Sequence, residues 1–285
     1  MSKLKIAVQK SGRLNEDSLK LLKNCGIAIN NGKDQLKVTV DNFPMEILFL
    51  RNSDIPQYVE DGTVDIAIVG ENLLYEKQKN VAVVKKLGFS KCNVSLAVPK
   101  DVDTDVLDYF NGKKIATSYP VTLQAFLDKN NIQSEIHTIS GSVEIAPNIG
   151  LADGICDIVS SGSTLFKNGL RETQVILKSE AVLIKSLQLN ETQEDLLSKL
   201  LFRINAVLRA KNSRYILLNV PNDKIPAVTN ILPVLKSPTI LPLAIEGWSS
   251  LHSVIDDNQF WEVIDELKAV GAEDILVVPI DKMVI

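Results

Sequence analysis

Short apolar runs alternate along the chain with stretches whose apolar residues recur every three or four positions. Residues 5–8, 45–50 and 65–69 are short, apolar and nearly continuous, as suits strands buried on both faces of a parallel sheet. Between them, Leu14, Ser18, Leu21, Leu22 and Cys25 keep helical spacing up to a stop at Gly26. Residues 54–61 read as a helix ended by Gly62. A second series follows, with strands at 93–99, 114–117, 134–138 and 155–159. Its helices are predicted at 120–130, opened by Pro120, and at 143–152 despite Pro147 and Gly150. This is α/β alternation.

The two series echo each other. Residues 61–70 (DGTVDIAIVG) and 153–162 (DGICDIVSSG) both fit D-G-x-x-D-I-x-x-x-G. Each follows a predicted helix carrying a proline, Pro56 or Pro147, and each ends on a glycine that opens another helix. Lys5-Ile6-Ala7 also matches Lys114-Ile115-Ala116. The pattern predicts a duplicated α/β lobe with a ligand held between the copies.

After Arg171 the rhythm changes. Residues 174–187 read as extended structure, and 193–210 form the longest helix, expected to pack back on the first lobe. From Tyr215 the order is strand 215–220, helix 223–235, strands 239–244 and 249–255, helix 260–270 and strand 275–280. That βαββαβ order is ferredoxin-like. The predicted division is lobe I at 1–92 plus 180–211, lobe II at 93–179, and a small third domain at 212–285. A length of 285 residues suits two lobes and such a module.

Composition narrows the chemistry. A net charge of −4 excludes a broad basic footprint for nucleic acid, so a bound anion needs a local cradle. Cys25, Cys92 and Cys156 lie far apart and read as reduced cytosolic thiols. His137 and His252 have no zinc spacing and neither adjoins a G-x-S-x-G elbow; both read as ordinary, partly exposed histidines. The N-terminal apolar run is too short for an export signal, and no run approaches the ~18 residues that span a membrane. The expectation is a cytoplasmic protein with no membrane segment.

The second copy of the repeat carries the candidate chemistry. Asp157 lies in a buried strand that ends in Ser160-Ser161-Gly162-Ser163-Thr164 before a helix. Gly162 permits a tight turn and close approach, helix-start amides attract an anion, and four hydroxyls add neutral donors. That suits a monophosphate, although a serine-rich turn with an N-cap looks the same; the Walker pattern is absent. Asp153 and Asp157 are placed to hold ribose hydroxyls or magnesium. Asp153 reads equally well as a turn residue.

These residues carry a resemblance. GSVEIAPNIGLAD (141–153) and CDIVSSGSTLFKNGL (156–170) resemble the signature of the ATP phosphoribosyltransferases, enzymes of histidine biosynthesis. AVQKSGRL (7–14), RNSDIP (51–56), GEN (70–72), ATSYP (116–120) and PTILPLA (238–244) extend the similarity over nearly the whole chain, and the last domain is similar to the regulatory domain of the family's long form. The resemblance implies two periplasmic-binding-protein-like lobes around a cleft and an ACT-like regulatory domain. It implies transfer of the phosphoribosyl group of phosphoribosyl pyrophosphate to N1 of ATP, with magnesium on the leaving pyrophosphate.

The same resemblance suggests roles. Ser160 to Thr164 would cradle the 5′-phosphate, and Asp157, with Asp153 second, would hold the ribose. Glu144 would serve the ribose or, with Asp157, the metal; alternatively it is a solvated carboxylate. Lys10 and Arg13 would meet pyrophosphate or triphosphate, and Arg51 and Glu71 would line the cleft, Glu71 beside ATP. Tyr119 would stack or hydrogen-bond there, or is a half-buried turn aromatic. Ser237, Thr239 and Leu241 would contact histidine as feedback inhibitor. A homo-oligomer, dimer to hexamer, is implied. Two lobes around a cleft also describe solute-binding proteins and effector-binding domains, and a phosphoribosyltransferase with another acceptor is a third reading.

Overall fold

In the computed structural model, residues 3–30, 35–102, 107–160, 162–232 and 237–284 are described. The N-terminal run forms β1 (Leu4–Gln9), followed by α1 (Arg13–Asn24), whose Ser18, Leu21 and Leu22 are buried. Next come β2 (Lys37–Val40), β3 (Met45–Leu50), α2 (Ile55–Glu60), β4 (Ile66–Gly70), α3 (Glu71–Lys77) and β5 (Ala82–Lys86). The chain then crosses into a second sheet through β6 (Cys92–Pro99), β7 (Lys114–Thr117), α4 (Pro120–Lys129), β8 (Glu135–Thr138), β9 (Gly154–Val159), α5 (Ser163–Lys167) and β10 (Leu170–Ser179). β11 (Ala181–Lys185) returns to the first sheet, and α6 (Glu191–Lys211) leads into β12 (Ser213–Pro221). α7 (Ile225–Ile231), β13 (Thr239–Pro242), β14 (Trp248–Asp256), α8 (Asp257–Ala269) and β15 (Glu273–Pro279) complete the order.

The duplication holds at the level of topology. The first sheet has the order β2-β3-β1-β4-β11-β5, the second β10-β6-β9-β7-β8. Reversing the second gives the same five-strand plan, with β7, β8 and β9 parallel like β1, β3 and β4. Next to the parallel strands come β11 and then β5 in one sheet, β6 and then β10 in the other, each antiparallel to its neighbours; β11 and β6 enter from across the hinge, and β2 adds an antiparallel edge to the first sheet. Apolar clusters fill both sheets: Val69, Val182 and Ile184 in the first, Val94, Leu96 and Leu123 in the second. At Gly154 even a methyl group would meet the Phe110 ring at 2.9 Å and the Ala97 carbonyl at 3.0 Å, so strand and helix layers touch there.

The structure corrects the alignment of the repeat. Asp65 pins its lobe by accepting the Lys5 amide at 2.7 Å, and Asp153 does the same with the Lys114 amide at 2.9 Å. Asp65 is therefore the counterpart of Asp153, whereas the sequence pattern pairs it with Asp157. The glycines Gly70 and Gly162 both cap the next helix. Lobe II has four more residues between its aspartate and its glycine; by strand register Asp157 stands where lobe I has Val69, and the extra residues are those that lead from it to Gly162. The helix predicted over 143–152 is also corrected: only Val143–Ile145 forms a 3-10 turn, since Pro147 cannot donate and Gly150 turns left-handed at φ 72°.

The chain divides into two compact units, Met1–Lys23 with Ile27–Leu197, and Asn24–Gly26 with Ser198–Ile285. Both lobes lie in the first. Its last element is the opening turn of α6, where Gln193 donates to Asp65 at 2.7 Å and Glu194 pairs with Lys185. The second unit holds an antiparallel sheet of order β13-β14-β12-β15, covered on one face by α7 and α8 around Ile216, Leu218, Val228 and Leu267. This is the expected βαββαβ plan. No described helix is long and apolar enough to cross a membrane.

Candidate active site

The chemistry expected in lobe II gathers at the carboxyl ends of its parallel strands, where open α/β sheets place ligands. Asp157 stands near the end of β9, Tyr119 follows β7, and Glu144 sits in the 3-10 turn after β8. Burial and then the neighbouring Glu144 carboxylate push Asp157 up to about 6, while the Ile158 amide, donating to its Oδ1 at 2.8 Å, works against them. Burial, then the charges of Asp157, Cys92 and Glu76, hold the Tyr119 phenol above its ordinary range; a hydrogen bond with the Asn72 side chain opposes this. Asp157 thus lies within electrostatic reach of both Glu144 and Tyr119.

The loop beside them is exposed. Ser160 and Thr164 face solvent, and Ser163 opens α5. Ser161 lies outside the described residues. Gly162 has φ 70°, and a Cβ there would meet nothing within 4 Å. Glycine is required by the backbone, and the space above it is open to a ligand. Lys100 steadies the far side of α5, donating to the Phe166 carbonyl at 3.1 Å and lying 3.3 Å over its ring.

Asp153 does not join this group. It precedes the first residue of β9, at the end of the strand away from the loop, and its carboxylate accepts the Lys114 amide and pairs with Lys113 at 3.8 Å. A six-residue strand puts roughly 20 Å between the two ends. Its expected part in ribose binding is replaced by a structural one.

Lobe I presents Lys10 and Arg13 after β1, Arg51 after β3 and Glu71 after β4, again at carboxyl ends. Lys10 and Arg51 are exposed. Arg13 pairs loosely with Asp17 at 4.0 Å and lies within electrostatic reach of Cys92. Glu71 is committed to Lys86 at 3.1 Å, which raises the Lys86 ammonium above its ordinary value. A cleft of about 320 Å³ joins the lobes, lined by Glu71, Lys86, Lys91, Lys178, Val159 and Ser160. It is within the range of small-molecule sites.

The three lysines of that cleft escaped the sequence reading. Each flanks a crossing between the lobes, and only the fold brings them to Ser160. Burial pushes the Cys25 thiol up to about 11 and the Cys156 thiol up to about 12, which disfavours their thiolates.

Comparison with known proteins settles the family. A family model described as ATP phosphoribosyltransferase matches residues 51–206, and one described as HisG, C-terminal domain, matches 210–282. The chain belongs to the ATP phosphoribosyltransferase family. An ATP phosphoribosyltransferase of Cytophaga hutchinsonii is 55% identical over 99% of this chain and 98% of its own length. One of Bacteroides thetaiotaomicron is 54% identical over 99% and 100%. Among solved structures, an ATP phosphoribosyl transferase (HisG:HisZ) complex from Thermotoga maritima matches with a TM-score of 0.61 and 26% identity, over 71% of this chain and 96% of that one. As a family member with this two-lobe fold, the chain is a glycosyltransferase of the pentosyl class, and its family serves histidine biosynthesis. On the C-terminal sheet, Thr239 and Leu241 lie exposed on the edge strand β13, and Ser237 precedes them, exposed, with its hydroxyl on the Pro238 carbonyl at 3.3 Å.

Proposed function

We propose that this enzyme joins N1 of the ATP adenine to C1 of phosphoribosyl pyrophosphate, releasing pyrophosphate and giving phosphoribosyl-ATP, the first step of histidine biosynthesis. The observation that carries the reading is the four-residue extension of lobe II. It leads to the open turn at Gly162, and just before it the half-buried Asp157 carboxylate stands where the duplicated lobe I has Val69. The loop from Ser160 to Thr164, whose Ser160, Ser163 and Thr164 are exposed, holds the 5′-phosphate through its amides and hydroxyls. Asp157 holds the ribose hydroxyls, and its charge, with that of Glu144, stabilises the positive character at C1 as pyrophosphate departs.

The nucleophile is the adenine's own ring nitrogen, so the protein's work is positioning and charge stabilisation. Lys86, Lys91 and Lys178 supply positive charge across the cleft from the loop, in reach of pyrophosphate or triphosphate oxygens. Arg13, Lys10 and Arg51 extend that supply along the lobe I rim, and Tyr119 closes the inner wall. Asp157 and Glu144 suit a magnesium ion, because their mutual repulsion is what a divalent cation relieves. When bound, the metal neutralises charge on the leaving pyrophosphate.

The regulatory reading is that histidine binds at Ser237, Thr239 and Leu241 and inhibits. A homo-oligomer between dimer and hexamer, and a cytoplasmic location, accompany it through the family resemblance. The test of the phosphate loop is Gly162→Val. A β-branched residue at φ 70° costs at least about 1–2 kcal/mol of local strain and fills the space above the loop. Calorimetric titration is expected to lose phosphoribosyl pyrophosphate binding while the fold survives; unchanged affinity would remove the loop from the site.

A further inference from the structure

One buried carboxylate takes no part in the site above. Glu76, on α3 of lobe I, is only 9% exposed. Its Oε1 accepts the Val121 amide at 3.1 Å, and its Oε2 accepts the Thr122 amide at 3.0 Å and the Thr122 hydroxyl at 2.9 Å. Those donors are the first turn of α4, in lobe II. α4 begins with Pro120, which has no amide to offer, and Tyr119 at its N-cap provides no side-chain cap. The cap is supplied by the opposite lobe.

Charge favours the arrangement. A carboxylate at a helix N-terminus meets the positive end of the helix dipole, and hydrogen bonds to an ionised acceptor are the stronger kind. A second bridge runs beside it. The Asn72 amide donates to the Ser179 hydroxyl at 3.0 Å, and that hydroxyl donates to Asn72 Oδ1 at 2.9 Å. Asn72 also meets Tyr119. Thus α3 carries both cross-lobe bridges, and Tyr119, one residue before α4, is fixed between them.

We infer that Glu76 is a positioning residue that clasps lobe I to lobe II, holding the ligand-free cleft at the spacing the transfer needs. The inference rests on the reading above for its kinetic consequence only. If the clasp sets the fraction of molecules with a competent cleft, breaking it reduces that fraction, and apparent affinity falls by the same factor. Both substrates then share one penalty, while the saturated enzyme, already closed, keeps its rate.

Glu76→Gln keeps the shape but loses the charge and one acceptor. We expect the KM values for ATP and phosphoribosyl pyrophosphate to rise together, about tenfold, with kcat within twofold. Thr122→Val, which removes one donor, moves both in the same direction by less. Hydrogen exchange on the ligand-free full chain supplies the readout that a local helix cap would not move. In Glu76→Gln, exchange should quicken at Val121 and Thr122 and also across the cleft at Asn72. Acceleration confined to α4, or a fall in kcat with both KM values unchanged, overturns the clasp. If the wild-type protein transfers no phosphoribosyl group, the reaction assignment fails, and the exchange at Asn72 still decides the clasp. If Glu76→Gln does not fold, the exchange pattern of Thr122→Val decides it.

Discussion

Asp157 is the residue on which structure and chemistry meet. Its folded value near 6 lies above the ordinary aspartate value of 3.8, so the folded state takes up its proton first. The sign follows from linkage. The stability gained by holding that proton is fully present below pH 3.8 and is lost as pH rises through about 6. In magnesium-free buffer, denaturant unfolding of the wild type is expected to show this loss between pH 4 and pH 7.5. Asp157→Asn should abolish that component and be more stable at pH 7.5 by roughly 1–2 kcal/mol, less than the full shift implies because solvent reaches the half-buried carboxylate. Its transfer rate should fall. Parallel pH profiles for the two proteins would contradict the burial argument. The residues of this group were legible because they are nearly contiguous: Asp157, Ser160 and Gly162 sit in one strand-loop-helix motif. Glu76, Lys86, Lys91 and Lys178 were not, since their roles arise only where the chain crosses between lobes, and nothing in their spacing marks a shared cleft. Asp153 stayed ambiguous because a pinning aspartate and a binding one look alike beside a glycine, and its hydrogen bond to the Lys114 amide favours the structural reading.

Among the elements, those with buried, apolar strands were readable. β3 and β7 match their predicted limits, and Gly26, Gly62 and Gly271 end helices or their turns with positive φ. β2 and β5 escaped. β2 has four residues that alternate polar and apolar, and β5 lies at the sheet's edge, exposed or half-exposed throughout, with its short apolar run 81–84 set between lysine-rich segments. The extended stretch at 174–187 is two strands in two sheets. The backbone stays extended through Glu180 while its partners change, a distinction that periodicity does not record. The edge strand β13 carries its own prediction. Thr239 pairs with His252 and Leu241 with Ser250, so these side chains share one face of the sheet, where His252 lies between Tyr215 and Ser250 at 3.0 and 3.1 Å. A histidine ligand on this face would meet an apolar contact at Leu241 beside hydroxyl groups. Leu241→Asp is expected to raise the histidine concentration for half-inhibition at least about tenfold, since a desolvated carboxylate is costly. Inhibition that is indifferent to this change would move the ligand off the strand.

At the scale of the molecule, duplication followed by divergence accounts for the site. Two lobes share one strand plan and the same pinned aspartate, and only one acquired the extension that leads to the serine-rich turn at Gly162. The other kept cationic side chains at equivalent strand ends. The cleft between them is lined from both, and the clasp at Glu76 runs from one to the other. Modest net charge is consistent with the proposed site, in which aimed amides, hydroxyls and a few lysines would meet the anions instead of a broad field. The central claim is a bond between the adenine ring and the ribose carbon, and that bond changes the adenine chromophore. The direct measurement is the ultraviolet difference spectrum of the full chain mixed with ATP, phosphoribosyl pyrophosphate and magnesium, with each component omitted in turn. The account predicts a spectral change that requires both substrates and magnesium and releases one pyrophosphate for each adenine altered. An unchanged spectrum in the complete mixture, with both substrates bound, would contradict it.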